Sequence, residues 1–218
     1  VQHARYYLLG ERTAVLELEP PFSLTAQQRV WSLAQQLQPL PQVLDVVPGM
    51  NNLSVILREA PHNAAEVLAW LQQAWQQSGS QEAEFRRVDI PVIYGGSGGA
   101  DLQHVARHHG LNARQVVEMH AAAEYVVCFI GFQPGFPYLA GLDPRLHTPR
   151  RDTPRVRVPA GSVAIGGSQT GIYPLESPGG WQLIGHTATA LFLPDRQPPV
   201  LLRPGDRLRF VPQKEGVC

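Results

Sequence analysis

The sequence predicts an α+β protein made of two domains. Three observations carry the prediction. Residues up to about 94 alternate strand-period and helix-period segments. Beyond residue 124 the chain reads only as short strands punctuated by Gly and Pro. And 218 residues, 44% of them hydrophobic, suffice for one large core or two small ones.

Residues 5–9 and 13–18 have strand character around the turn Gly10-Glu11-Arg12. Thr25 and Gln28 form a T-x-x-Q capping box ahead of Val30, Leu33, Ala34 and Leu37. Their i, i+3, i+4, i+7 spacing predicts an amphipathic helix, ended by Pro39 and Pro41. VLDVV (43–47) and LSVIL (53–57) are strands around the turn PGMNN. Ala64, Val67, Leu68, Leu71 and Trp75 give a second helix over 62–77 one apolar face. SGSQEAE (78–84) is a polar, flexible stretch, and another strand follows at about 85–94. The order β-α-β-β-α-β with an extra leading strand is the ferredoxin-like, split-βαβ pattern, which predicts a domain over residues 1–88. No titratable cluster stands out within it, so it reads as a packing or assembly module.

Residues 89–218 form the second predicted domain. Asp101 is placed to cap the helix DLQHVARHH, stopped by Gly110, and Asn112 to cap ARQVVEMHAAA. YVVCFIGF, RVRVPAG, SVAIGG, GIYPLE, GWQLIGHT, ALFLP and VLLRPGDRLRFVP then supply enough short strands for a closed or nearly closed barrel.

Composition removes several functions. The formal net charge is zero, so no global field attracts nucleic acid or an anionic membrane. No apolar run reaches membrane-spanning length, and VQHARYYLLGER lacks the pattern of a secretory signal. Cys128 lies in an apolar run and Cys218 at the end, with no C-x-x-C, so neither a disulfide framework nor a metal pair is expected; a reducing cytoplasm fits. Of the 18 basic residues only Lys214 is lysine. Schiff-base and P-loop lysine chemistry are set aside, and anion recognition falls to arginine or backbone N–H groups.

Several segments have the makings of a site. GGSGG (95–99) is either a phosphate-cradling loop or a flexible connection; it lacks the P-loop lysine. RLHTPRRDTPRVR brings Arg145, Arg150, Arg151, Arg155 and Arg157 together against one acid, Asp152. Such a strip suits a carboxylate or phosphate, or else is a solvated edge strand. SPGGW (177–181) has the composition of a type II turn presenting Trp181, and GSQTGIY offers Gln169 and Tyr173 as polar handles. GFQPGFPYL, stiffened by proline, carries Phe132, Phe136 and Tyr138 and either lines a groove or plugs the barrel interior. His120 and His186 are candidate acid–base groups. No G-x-S-x-G elbow or Ser-His-Asp order is present.

At these residues a family is recognisable. IPVIYGGSGGADL, MHAAAEYVVCFIGFQPGFPYL, PRRDTPRVRVPAGSVAIGGSQTGIYP and SPGGWQLIGHT, in that order, resemble the allophanate hydrolase subunit 1 family. This family includes the kinase inhibitor KipI and the B subunits of bacterial 5-oxoprolinases; PGMNNLSVILR and the tail QKEGVC resemble the latter branch. The resemblance implies an N-terminal α+β domain followed by a cyclophilin-like barrel. It implies ring opening of 5-oxoproline to L-glutamate, driven by ATP with Mg²⁺. It implies a complex with a C subunit of related barrel type and an A subunit, with little turnover by this chain alone. Nucleotide would sit at a subunit boundary or mostly on the partner. Carried over as pocket residues are Gly131, Phe132, Pro134, Gly135, Phe136, Tyr138, Gly161, Ser162, Gln169, Tyr173, Gly179, Gly180 and Trp181. Arg150 and Arg151 would face the anion, Arg155 and His120 would act in catalysis, and no metal ligands are expected. The same resemblance leaves open a KipI-like inhibitor of a sensor histidine kinase and a subunit acting on allophanate or a urea derivative.

Overall fold

The structure is a computed structural model that describes residues 3–79 and 86–213. The chain divides into two compact units, Val1–Glu84 and Phe85–Cys218. Most of the polar stretch expected at 78–84 lies outside the described residues, as do Lys214 and Cys218.

The first unit contains β1 (Ala4–Leu9), β2 (Thr13–Leu18), α1 (Leu24–Leu37), β3 (Val43–Pro48), β4 (Asn52–Leu57) and α2 (Ala64–Gln77). Its four strands form one antiparallel sheet in the order β1-β2-β4-β3. Val30, Leu33 and Leu37 of α1 and Leu71 and Trp75 of α2 are buried with Leu16, Leu53 and Val55 of the sheet. That burial supplies the main driving force for this small layer structure. The cap of α1 is Ser23, whose hydroxyl accepts from Ala26 N, so Thr25 already lies inside the helix. Asn63 caps α2 through Ala65 N.

The strand expected to complete this sheet does not join it. Residues 87–94 form β5 of the second unit, where Ile90 and Val92 belong to a different core. The realised order is therefore β-β-α-β-β-α, with β1 beside β2 as an outer strand. A two-strand hairpin through Gly10 (φ +66) does what a crossover was expected to do.

The second unit contains β5 (Arg87–Tyr94), α3 (Leu102–His108), α4 (Ala113–Ala122), β6 (Tyr125–Ile130), β7 (Pro137–Ala140), β8 (Arg155–Val158), β9 (Ser162–Gly166), β10 (Gln169–Ile172), β11 (Ser177–Gly179), β12 (Gln182–His186) and β13 (Arg207–Pro212). Seven strands close a barrel in the order β10-β7-β6-β13-β5-β12-β9, and β8 pairs with β11 in a separate ribbon. Ile90, Val127, Leu139, Val163, Ile165, Ile172, Ile184 and Phe210 fill the main core. Asn112 caps α4, as the sequence predicted, and Gln115 completes a reciprocal capping box with it.

Three local expectations are corrected. Residues 137–140 form a barrel strand; Pro137 is tolerated because it takes the first position. ALFLP forms no strand, only the bridge Phe192–Val200. SPG of SPGGW is β11, paired with β8, and neither Gly179 nor Gly180 has the positive φ that a type II turn needs. A type II turn occurs instead at Gln133–Phe136, with Gly135 at φ +82 and Phe136 N donating to Gln133 O at 3.1 Å.

Candidate functional site

Strand periodicity sends alternate residues of the barrel to opposite faces. Leu139, Val163, Ile165, Ile172 and Ile184 join the main core, while Tyr138, Ala164 and Leu183 join a second cluster with Phe136, Val158, Tyr173 and Trp181. The aromatic residues therefore pack on the outer side of the barrel wall, under the β8–β11 ribbon, and do not plug its interior. Phe136 lies edge-on to Trp181 (5.6 Å, 88°) and to Tyr173 (5.2 Å, 84°), and Tyr138 to Trp181 (5.9 Å, 73°). These T-shaped contacts set the positive ring edge against the negative face.

Glycine makes the close approach possible. A Cβ on Gly166 would stand 2.5 Å from the Trp181 indole, and one on Gly171 would stand 3.0 Å from Phe136. On Gly179 it would meet the Tyr173 hydroxyl at 2.4 Å. The rings thus lie directly on strand backbone. Tyr173 is fixed by its main chain: Gly161 N donates to Tyr173 O (2.7 Å) and Tyr173 N to Ser162 O (2.9 Å). Burial raises the Tyr173 pKa, partly offset by the Trp181 backbone N–H that its hydroxyl accepts.

The 131–136 loop borders this cluster and is latched in place. Gln133 Nε2 donates to Ser177 Oγ (2.8 Å), and its Oε1 accepts from Leu175 N (3.1 Å). Phe132 holds φ +66, an unfavourable region for a large side chain, and is 62% exposed while touching Phe136 and Tyr173. Pro134 is exposed beside it and Gly131 half-buried.

On the other side runs the arginine segment. Arg150 is exposed, has its guanidinium 5.8 Å from the Trp181 ring and makes no ion pair among the described residues. Arg151 N donates to Gly180 O (2.7 Å). Arg155 and Arg151 both donate to Asp101 Oδ1 (2.7 and 3.3 Å), and Asp101 Oδ2 accepts from Leu183 N at 2.7 Å. Asp101 therefore does not cap α3 with its side chain, contrary to the sequence-based expectation. It is a buried anchor tying β8 to β12, because two guanidinium groups and a strand amide outcompete a helix N-terminus for one carboxylate. Arg155 braces the ribbon through its Nη2, while its buried Nη1 makes no hydrogen bond. Arg157 and Arg145 pair with Glu176 and Asp143, each at 2.7 Å.

Next to Arg150 lies a groove of about 360 Å³ lined by His104, His108, Thr148, Arg151 and Gln182, among others. Its walls are polar, with the guanidinium groups of Arg150 and Arg151 opposed by the one carboxylate of Asp152. The arrangement can hold a small anion between the Arg150 and Arg151 guanidinium groups and the imidazoles of α3.

The chain matches the carboxyltransferase domain, subdomain C and D, over residues 4–202. It is 60% identical to the B subunit of 5-oxoprolinase from Escherichia coli O157:H7 over 218 residues, the whole of both chains. It is 47% identical to the corresponding 5-oxoprolinase B subunit of Haemophilus influenzae, over 93% of this chain and 95% of that one. The chain belongs to the family of 5-oxoprolinase B subunits. Among solved structures, TTHA0988 superposes with a TM-score of 0.79 at 40% identity over 95% of this chain. This chain spans 41% of the length of TTHA0988.

In this member of the 5-oxoprolinase family, His120 is fully buried. Its Nδ1 accepts from the Tyr94 hydroxyl (2.7 Å) and its Nε2 donates to Thr170 Oγ1 (2.9 Å), which donates on to Ala164 O. Burial lowers its pKa to about 3. It is a neutral link in the core, and the proton-handling role expected of it does not fit this setting. His186 is half-buried between Gly98 and Gly161, with Nε2 donating to Ala160 O at 3.0 Å. Gln169 opens β10 opposite Gly166. The glycine loop 95–99 is neither cradle nor flexible link. Gly95 N donates to Ile184 O, Gly99 N to Gly95 O, and a Cβ on Gly99 would strike Ile184 O at 2.4 Å. Burial pushes the Cys128 thiol up to about 12, so it is an inert core group. No group of three or more His, Cys, Asp or Glu able to hold a metal occurs among the described residues, and no helix there is long and apolar enough to cross a membrane.

The structure thus gathers Phe132, Phe136, Tyr138, Tyr173, Trp181 and Arg150 in one cluster, in which Phe136, Tyr173 and Trp181 are buried and Phe132 and Arg150 are exposed. Gly161, Ser162, Gly179 and Gly180 support them through backbone contacts. Sequence reasoning missed Asp101 as an anchor, Gln133 as a latch and Gln182 as a groove residue. Only Gly166 and Gly171, two strand glycines on the side opposite the aliphatic core residues, carried a readable signal.

Proposed function

We propose that this chain is the B subunit of an ATP-dependent 5-oxoprolinase, which opens 5-oxoproline to L-glutamate and turns over only when joined to its partner subunits. The observation that carries the reading is 60% identity to a 5-oxoprolinase B subunit across the full length of both chains.

The chemistry explains the use of ATP. A lactam carbonyl is a poor electrophile. Transfer of the γ-phosphoryl group to the lactam oxygen releases ADP and leaves an activated carbon. Water adds there, and the ring C–N bond breaks as nitrogen takes up a proton. Hydrolysis of the resulting acyl phosphate releases phosphate and glutamate. Mg²⁺ arrives with the nucleotide phosphates, which need several cationic donors. Arg150 is the open donor at the aromatic face, so nucleotide sits at a boundary with a C subunit of related barrel type or mostly on that partner, with an A subunit completing the assembly. Phe136, Tyr173 and Trp181 are buried and, with Tyr138, form a rigid support behind the exposed Phe132, which is a contact for the partner. The first unit, with ferredoxin-like kinship, serves assembly; the second, with cyclophilin-like kinship, carries the site, and the reaction takes place in the cytoplasm.

The test is reconstitution. The chain mixed with its C and A partners should release glutamate from 5-oxoproline only when ATP is present, and the chain alone should release almost none. An assembled complex that hydrolyses no ATP in the presence of 5-oxoproline overturns the reading.

A further inference from the structure

One residue lining the groove, Gln182, carries a buried acceptor with no donor. Gln182, the first residue of β12, is only 4% exposed. Its Nε2 donates to Pro149 O at 3.0 Å, which sets the orientation of the amide. Its Oε1 is left buried and without a hydrogen bond. A buried carbonyl in that state is costly, and the cost is recovered when an N–H group arrives.

The rest of the lining has the opposite appetite. Arg150 and Arg151 contribute guanidinium groups, and the rings of His104 and His108 stack one helical turn apart, 6.3 Å between centroids. Arg151 spends Nη1 on Asp101 and Nε on Thr153 O, while Arg150 makes no ion pair among the described residues. A ligand that satisfies both demands carries an anion and an N–H close together. The carboxylate of Asp152 also lines the groove and opposes a polyanion, so one carboxylate fits better than a triphosphate.

We propose that this groove is the binding site for 5-oxoproline, with its carboxylate on Arg150 and Arg151 and its lactam N–H donated to Gln182 Oε1. The assignment rests on the 5-oxoprolinase reading and adds the subunit and the residues that hold the substrate. The second contact also assists the chemistry. Holding the N–H against an acceptor shifts amide electron density toward the lactam oxygen, the atom that attacks the γ-phosphorus. It further gives selectivity for a lactam over the ring ester of the same shape, which has no N–H to donate.

The experiment uses the reconstituted complex with Gln182→Met, Gln182→Glu and Arg150→Gln. Gln182→Met should raise KM for 5-oxoproline about tenfold or more while KM for ATP stays within about twofold. In its protonated form Gln182→Glu donates to Pro149 O and still accepts from the lactam N–H, so it should recover most of that loss at low pH and forfeit the recovery as the carboxyl ionises. Arg150→Gln should raise KM for 5-oxoproline as well. An unchanged KM for 5-oxoproline in Gln182→Met overturns the proposal, and so does a rise in KM for ATP alone, which would assign the groove to nucleotide. If the Met variant does not fold, 5-oxoproline is titrated into the wild-type chain and the Gln182 side-chain amide is followed by NMR. Shifts there, absent with the N-methyl lactam, support the assignment; no shift at several times the KM of the complex overturns it. A wild-type complex that ignores 5-oxoproline sinks the enzyme reading separately, and the same titration then decides whether the groove takes the lactam acid.

Discussion

On β9 and β10, Val163, Ile165 and Ile172 face a core packed with aliphatic side chains, whereas Ala164, Gly166 and Gly171 face Phe136, Trp181 and Tyr173. The same backbone serves both sides. Inside, large side chains meet large side chains, and the polar groups His120, Thr170 and Tyr94 are joined in one hydrogen-bonded chain. Outside, the strand contributes almost no side chain and the rings take up the room. A residue and its immediate neighbour in sequence thus belong to different packed clusters, one aliphatic and one aromatic.

Substitutions can pull the two sides apart. Asp101 links the ribbon to the barrel wall, and Asp101→Ala strands two arginines and the Leu183 amide. It should cost about 3–5 kcal/mol, read as a lowered denaturation midpoint, and should disturb the aromatic face most, read by near-UV circular dichroism. Leu139→Ala opens a cavity in the interior and should cost about 2–5 kcal/mol while leaving the near-UV signature of Trp181 intact. Gly166→Ala should do the reverse. Its methyl must displace the indole, so stability falls by only about 1–3 kcal/mol while Trp181 fluorescence shifts and the complex loses most of its activity. If Leu139→Ala and Gly166→Ala gave the same signature, the separation of the two faces would be wrong.

One pH response comes from the interior. The folded-state pKa of His120, about 3, lies below its ordinary value of 6.5, so folding favours the neutral ring. Its contribution is complete above about pH 6.5, declines as the pH falls and is gone below about 3. The free energy of unfolding of His120→Gln should therefore fall less steeply than wild type over that window, in paired urea titrations. The smallest stability effect is expected at Phe132→Gly. Glycine accepts φ +66 readily, so stability should hold or rise by about 1 kcal/mol, while capture of the partner subunit weakens. Unaltered partner capture would remove Phe132 from the interface.

The helices and most strands are legible because burial imposes a period that the sequence must obey, as Val30, Leu33 and Leu37 do on α1. Partnerships between distant segments are not. Nothing local to Asp101 announces that it meets Arg155, fifty-four positions on. An N-cap is the only role its near neighbours suggest. Strand 87–94 is recognisable as a strand, yet its sheet is not, since its pairing residues lie 120 positions later in β13. At the site, the aromatic residues stand out by composition. Which side of the wall they occupy depends on register, and register is written across three strands at once.

β13 lies between β5 and β6, parallel to one and antiparallel to the other. The hoop is therefore fastened by its last stave. While the ribosome is still producing residues before 207, β5 and β6 have already emerged with an unpaired edge each, and no smaller cylinder can form in the meantime. A chain cut short before β13 would keep those two edges open, a ready template for pairing with another chain, in place of a trimmed protein.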